Sequence, residues 1–361
     1  DTSDPSTLVI TASDQAIINF DGFSIAEGQT VQFVQPLDSA SVLGRVTGGS
    51  SSDIFGSLFA NGQFVLVNPH GIHFGASADI QAGSLIASTL DISSANYLAG
   101  QMIFERAPGS PAGFILNEAD IASAQGGHIA LLSERVTNTG VLTAYLGTVA
   151  LGAGNKATLS FDPNGLVNLV IDEGVDGASG DVLVHNTGTA AADGGKVLLT
   201  AKTLNDTLDL LVNNEGVVRA QSVVQRDGVI ELVSNGSINN TGTIQAEGGE
   251  ASIIAEGNVR STGILDVAEF IERGAAFTIG GTYQAVHASV QNKDGAVNLS
   301  TGDYSGLTQD AGDIIVDAAA VITLTADTHF QADSDNDGTG GFDGRRVFHR
   351  RRRVQPAVDH G

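Results

Sequence analysis

Between residues 127 and 267 the chain repeats one short pattern, and repetition at this spacing leaves few folds open. Val136 to Ala144 reads Val-Thr-Asn-Thr-Gly-Val-Leu-Thr-Ala. Ile238 followed by Asn240-Thr241-Gly242-Thr243-Ile244-Gln245-Ala246 repeats it, as does Val259 followed by Ser261-Thr262-Gly263-Ile264-Leu265-Asp266-Val267. Partial copies start at Asn186-Thr187-Gly188 and Asn214-Glu215-Gly216. Each copy is set beside an apolar run such as Gly127 to Leu132, Gly228 to Val233 or Gly249 to Ile254. Gly242 to Gly263 gives a period of 21 residues, and wider spacings elsewhere imply inserted loops. Periods of this size mark solenoids, in which a single repeat cannot bury its apolar face without a neighbour.

Two positions after each Gly stands an apolar residue (Leu142, Ala190, Val218, Ile244, Leu265), and four after it Ala144, Ala192, Ala220, Ala246 or Val267. That alternation is one face of a strand. Coils stacked about 4.8 Å apart would set equivalent positions in columns. The expected fold is all-β: a right-handed parallel β-helix with small Ala residues in a narrow interior. The Asn of each Asn-x-Gly, which is read as a turn, is expected to bond its neighbours in an amide ladder. A β-sandwich, the rival, gives no reason for such a repeat.

Composition agrees. Glycine numbers 46 of 361 residues, aromatics make up 5%, and Trp and Cys are absent. Without cysteine there are no disulfides and no thiolate metal sites. The net charge is −24, and six of the 17 basic residues fall after position 344. So acidic a body should repel nucleic acid and anionic lipid. No run of 18 apolar residues is present, so no membrane-spanning helix is expected. No signal peptide is visible and the chain starts at Asp1, as a processed or trimmed chain would.

Upstream of the repeats lies a sharp corner. Phe64 to Val67 is an apolar run ended by Asn68-Pro69-His70-Gly71, after which Ile72 and Phe74 alternate with His73 and Gly75. Pro69 fixes its own φ and biases Asn68 toward extended backbone, while Gly71 can take the positive φ of a tight turn.

Leu66 to Gly75 resembles the Asn-Pro-Asn-Gly-Ile motif of the filamentous haemagglutinin N-terminal domain, the secretion module of two-partner secretion exoproteins. Further stretches agree in order: Ile17 to Phe20 with Phe23 to Ile25, Val31 to Pro36, Val42 to Gly49, Ser52 to Leu58 and Ala87 to Leu90. His70 stands where the family usually has Asn, and Gly44 where Asn commonly precedes Arg-Val. The resemblance implies an N-terminal cap, extra-helical strands, and export by an outer-membrane β-barrel transporter with periplasmic domains. It also implies that Asn68, Pro69, His70, Gly71 and Ile72, with Arg45, form a transporter-recognition or fold-nucleating element. The product would be a secreted, surface-associated adhesin, with host or surface glycans as possible partners.

Three units are expected: 1–125, a cap with the first coils; 126–330, the repetitive continuation; and 331–361, an acidic then Arg-rich disordered tail. Residues 1–55 are the candidate cap, and the run Arg350–Arg353 reads as a basic tag or an altered C-terminus. Asp333, Asp335 and Asp337 before Gly338 match the opening of a calcium loop, although position twelve is Gly344 and not the Glu of an EF-hand. A solvated acidic linker is the alternative; no other cofactor is expected. His70 and His73 point to opposite faces of a strand and make a poor zinc site; with His128 and His185 they read as surface or turn histidines. Asp172, Glu173 and Asp176 form an acidic cluster expected in a loop. They motivate the alternative of a polysaccharide lyase or hydrolase, although Lys156 and Lys196 are distant in sequence and Tyr numbers only four.

Overall fold

In the computed structural model the repeat becomes a parallel β-helix with three walls. The structure describes residues 6–176, 182–204, 210–224 and 226–274 in full, and beyond them the backbone of strands lying between 276 and 350. The first wall carries Thr30–Val34, Asp120–Ser123, Val141–Thr143, Thr189–Ala191 and Val217–Arg219. The second carries Ser41–Val46, His128–Ser133, Thr148–Ala153, Lys196–Ala201 and Val229–Ser234. The third carries Ser52–Ile54, Ile72–Phe74, Phe114–Asn117, Arg135–Asn138, Val184–Asn186, Leu210–Asn214, Ser237–Asn240 and Asn258–Ser261. Ser57–Val67 and Asp79–Ser88 bend from the first wall into the second, with a register shift at the bend.

Parallel register stacks like on like. Val31, Leu58, Ile80, Ile121, Leu142, Ala190, Val218, Ile244 and Leu265 form one unbroken inward column. All of them are buried, and the expected small residues Ala144, Ala192, Ala220 and Ala246 are fully enclosed beside them. The interior widens toward the N-terminal end, where Phe33 stacks on Phe64 with ring centroids 4.3 Å apart and Phe23 leans on both.

Residues 7–54 do more than cap. Thr7–Thr11 already pairs in parallel with Thr30–Val34, and Ala16–Phe20 with Ser41–Val46, so coiling begins at residue 7. Leu8 at the head of the column is half exposed, whereas Phe20 packs against the aromatic core.

A four-stranded antiparallel sheet lies outside the helix, built from Asp91–Ile92, Met102–Glu105, Lys156–Phe161 and Val167–Glu173. The last two are a hairpin inserted within the 48 residues between Gly140 and Gly188, which explains that wide spacing. Its inner face, with Tyr97 of the short helix Ser94–Leu98, covers the second wall in a separate core containing Val65, Ile86, Leu132 and Phe104. His128–Ser133 and Thr148–Ala153 are consequently buried on both faces, which is why they read as continuous apolar runs.

At the far end the backbone pairing continues through Thr328–Asp333 to Arg346–Arg350, the latter beside Ile314–Ala318, where the sequence suggested a tail. Asp335 and Asp337 lie outside the described residues, as does the side chain of Asp333, so the calcium loop does too.

Candidate functional site

The corner at residues 68–72 is built on one buried amide. Asn68 is fully enclosed, and its Nδ2 donates to the Ser50 carbonyl at 3.0 Å and to Ser52 Oγ at 2.9 Å. Its Oδ1 accepts from the His70 N–H at 3.0 Å, an Asx-type turn, while the Gly71 N–H reaches the Asn68 carbonyl at 3.1 Å. The Asn68 N–H donates onward to Ser88 of the next coil. Through its side chain and its backbone N–H together, this one residue ties three successive coils. Gly71 has a φ of +114°, the positive value the turn needs, and Ile72 is buried. Pro69 is only partly covered and His70 is exposed. Asn68, Gly71 and Ile72 therefore face inward, and only Pro69 and His70 offer surface to a partner.

Arg45 lies opposite Val67 in the ladder, one residue from the corner. Its Nε donates to Asp91 Oδ1 at 2.9 Å and its Nη2 to the Ile92 carbonyl. Arg45 therefore fastens the first strand of the outer sheet to the helix. Gly44 beside it faces inward, and a Cβ there would sit 3.2 Å from the rings of Phe20 and Phe64. The aromatic bulk fills the space a side chain at 44 would need.

The amide ladder runs along the third wall. Asn117, Asn138, Asn186 and Asn214 each donate from Nδ2 to Oδ1 of the next Asn at 2.8 Å, ending on Asn240. Asn117 is missed by the sequence pattern because Ala119 takes the place of its glycine. The glycines of the motif serve a purpose other than turn geometry. Gly140, Gly188, Gly216, Gly242 and Gly263 have ordinary φ, but a Cβ on any of them would meet backbone of the preceding coil at 1.8–2.2 Å.

The histidines divide. His73 Nε2 lies 2.8 Å from Glu118, and its Nδ1 3.8 Å from Asp53, so it links neighbouring coils on the surface; His185 stands 3.5 Å from Glu215 in the same way. His128, expected at the surface, is buried against Phe161, because the hairpin folds over it. Burial lowers its pKa from 6.5 to about 4, so the ring is neutral and its Nε2 accepts from Gln63 Nε2 at 3.4 Å.

Asp172 and Glu173, expected in a loop, end a strand of the hairpin. Asp172 accepts from Thr158 Oγ1 at 2.6 Å, and Glu173 is the register partner of Lys156. Lys156, remote in sequence, is thus adjacent in space; its hydrogen bond to Glu105 at 3.0 Å is the main cause of its raised pKa, which Asp172 and Glu173 also favour. Lys196 bonds Asn168 at 2.8 Å. Glu134, buried beside Arg106 at 2.8 Å, has its pKa raised because desolvation outweighs the guanidinium. Among the described residues no three His, Asp or Glu side chains converge as metal ligands, and no helix is long and apolar enough to cross a membrane.

This architecture has relatives. The crystal structure of the HMW1 secretion domain from Haemophilus influenzae superposes with a TM-score of 0.66 and 28% identity, covering 91% of this chain and 87% of that one. A heme/hemopexin-binding protein of Haemophilus influenzae is 29% identical over 253 residues, 64% of this chain and 26% of its own length. Its counterpart in strain Rd is 29% identical over 242 residues, 63% of this chain and 25% of its own. The chain spans about a quarter of the length of these curated relatives. A family model described as the TPS secretion domain matches residues 6–246, which include the corner, the outer sheet and the whole amide ladder from Asn117 to Asn240. The chain belongs to the TPS secretion domain family: it is the secretion domain of a two-partner secreted exoprotein, exported across the outer membrane.

Proposed function

We propose that residues 1–125 engage the periplasmic domains of an outer-membrane β-barrel transporter while unfolded or extended, and that the chain then folds outside the cell coil by coil. The observation that carries this reading is the ladder itself: each strand of the helix pairs in parallel with the coil before it and the coil after it. Stability in such an array is a sum of nearest-neighbour terms, so a first coil can template the second and propagation needs no nucleotide. The corner supplies the seed, since Asn68 joins the coils at Ser52 and Ser88. Arg45 adds the outer sheet to that seed, and Pro69 and His70 are the residues of the motif left to meet the transporter. The exoprotein then acts at the cell surface as an adhesin-like protein. With Asp172 bonded to Thr158 and Lys156 to Glu105, the carboxylates of the hairpin give no support to a lyase or hydrolase reading. The heme and hemopexin binding named for the curated relatives concerns proteins about four times longer than the matched region, and is not assigned to these residues.

Co-expression with and without the partner transporter, followed by quantitation of chain in the medium, tests the proposal. Export is expected only with the transporter and is expected to fall sharply in Asn68→Ala and Pro69→Ala. Transporter-independent export would overturn the scheme, and undiminished export of both variants would remove the corner from it.

A further inference from the structure

Where the first wall bends into the second, the outer surface holds a groove of about 390 Å³, a size typical of small-molecule sites. Gln32, Phe59 and Gln81 are register partners on three successive coils, so their side chains stand in a column with the ring between two amides. Asn61, Gly83 and Ser123 continue the lining across the bend. Every residue of the lining is uncharged, in a chain whose net charge is −24. Asn61 is committed: it exchanges hydrogen bonds with the Gln35 backbone, accepting from its N–H at 2.8 Å and donating to its carbonyl at 3.1 Å. Gln81 donates from Nε2 to Asp79, which fixes its amide and leaves Oε1 available. Gln32 is exposed and makes no side-chain hydrogen bond among the described residues.

We propose that this groove binds a neutral oligosaccharide, with the Phe59 ring under a pyranose face and the amides of Gln32 and Gln81 on the hydroxyls of the sugars to either side. Aromatic rings offer an apolar face that suits axial C–H groups, and amides both donate and accept, as hydroxyls require. The coils repeat about every 4.8 Å, close to the length of one sugar in an extended β-linked chain, so successive coils meet successive residues. Charge decides the class of sugar. The acidic body and the absence of any basic side chain in the lining disfavour sialylated or sulfated chains. This inference rests on the surface destination proposed above but is read out separately from export.

The purified chain is titrated calorimetrically with cellohexaose, chitohexaose and maltohexaose, and with 3′-sialyllactose and a heparin hexasaccharide. At least one neutral hexasaccharide is expected to bind at millimolar concentration or tighter. That affinity is expected to fall roughly tenfold or more in Phe59→Ala and in the double variant Gln32→Ala/Gln81→Ala. Both glutamines are exposed, so the double variant keeps the test alive if Phe59→Ala folds poorly. Export of the double variant is expected to be normal, which separates this site from the secretion role. No binding by any of the three neutral probes, tighter binding of the charged ones, or affinity unchanged in the variants overturns the proposal.

Discussion

Asn138 Nδ2 donates to Asn186 Oδ1 across 2.8 Å, although 48 positions separate the two residues and a whole hairpin is inserted between them. The contact belongs to a continuous row of amides, all buried and all pointing the same way along the axis. A row like this keeps the register between coils, because slipping any coil by one residue would leave two buried amides unpaired and turn every inward side chain outward.

Asn186→Ala should therefore cost more than a surface change. It leaves the Nδ2 of Asn138 with only its longer bonds to the Gly140 and Thr189 carbonyls and strands the Oδ1 of Asn214 in an enclosed site. Leaving buried groups unsatisfied costs about 1–3 kcal/mol each, so urea unfolding should show a loss of about 2–4 kcal/mol, or splitting into two transitions on either side of the broken rung. Asn186→Thr, which keeps a hydroxyl, should recover part of it.

Gly188→Ala tests the close approach between coils. A Cβ there would lie 2.1 Å from the Gly140 carbonyl, and backbone cannot rotate aside as a side chain can. The expected loss is comparable to that of Asn186→Ala, about 3 kcal/mol by overpacking alone. Gly22→Ala, where nothing lies within 4 Å, is the control and should be close to neutral by thermal melting.

At the corner, burial separates fold from contact. Asn68→Ala removes the partners of Ser52 Oγ, the Ser50 carbonyl and the His70 N–H together. Its expected cost is about 2–4 kcal/mol, whereas exposed His70→Ala should stay within about 0.5 kcal/mol. Paired melting curves and export yields then distinguish the two roles: a stable His70→Ala that exports poorly marks His70 as a contact, and one that exports normally leaves Asn68 as a purely structural seed.

His128 makes stability depend on pH. Its folded pKa of about 4 lies below the unfolded value of 6.5, so the unfolded chain binds the extra proton between those values. The contribution is complete above pH 6.5 and is lost as the pH falls to about 4, a change of about 3 kcal/mol. Glu134 acts in the opposite sense, since its raised pKa means that acid relieves a buried charge. The His128 share is isolated by difference: His128→Gln should flatten the slope of stability against pH between 4 and 6.5. An unchanged slope in that variant would show that the ring is solvated.

The sequence alone was enough for the coil. Apolar residues two and four places after each motif glycine specify which side chains point inward, and the recurring Asn before it specifies an amide column, because both are offsets along a single strand. The turn at Asn68-Pro69-His70-Gly71 was equally legible, its backbone demands being local. What remained hidden were relations between coils and between sheets. Asn117 escaped the pattern because Ala119 stands where the others have Gly, although its amide occupies the same column. His128, at the head of an apolar run, reads as a surface or turn histidine until the Lys156–Phe161 hairpin covers it. Arg45 finds Asp91, and Glu105 finds Lys156, across separations of about fifty residues that no period encodes. Period and alternation are properties of the chain itself, so the sequence fixes how each coil is wound. Which loops fold back, what they bury and which charges they join depend on where the stacked coils carry them, and only the assembled helix decides that.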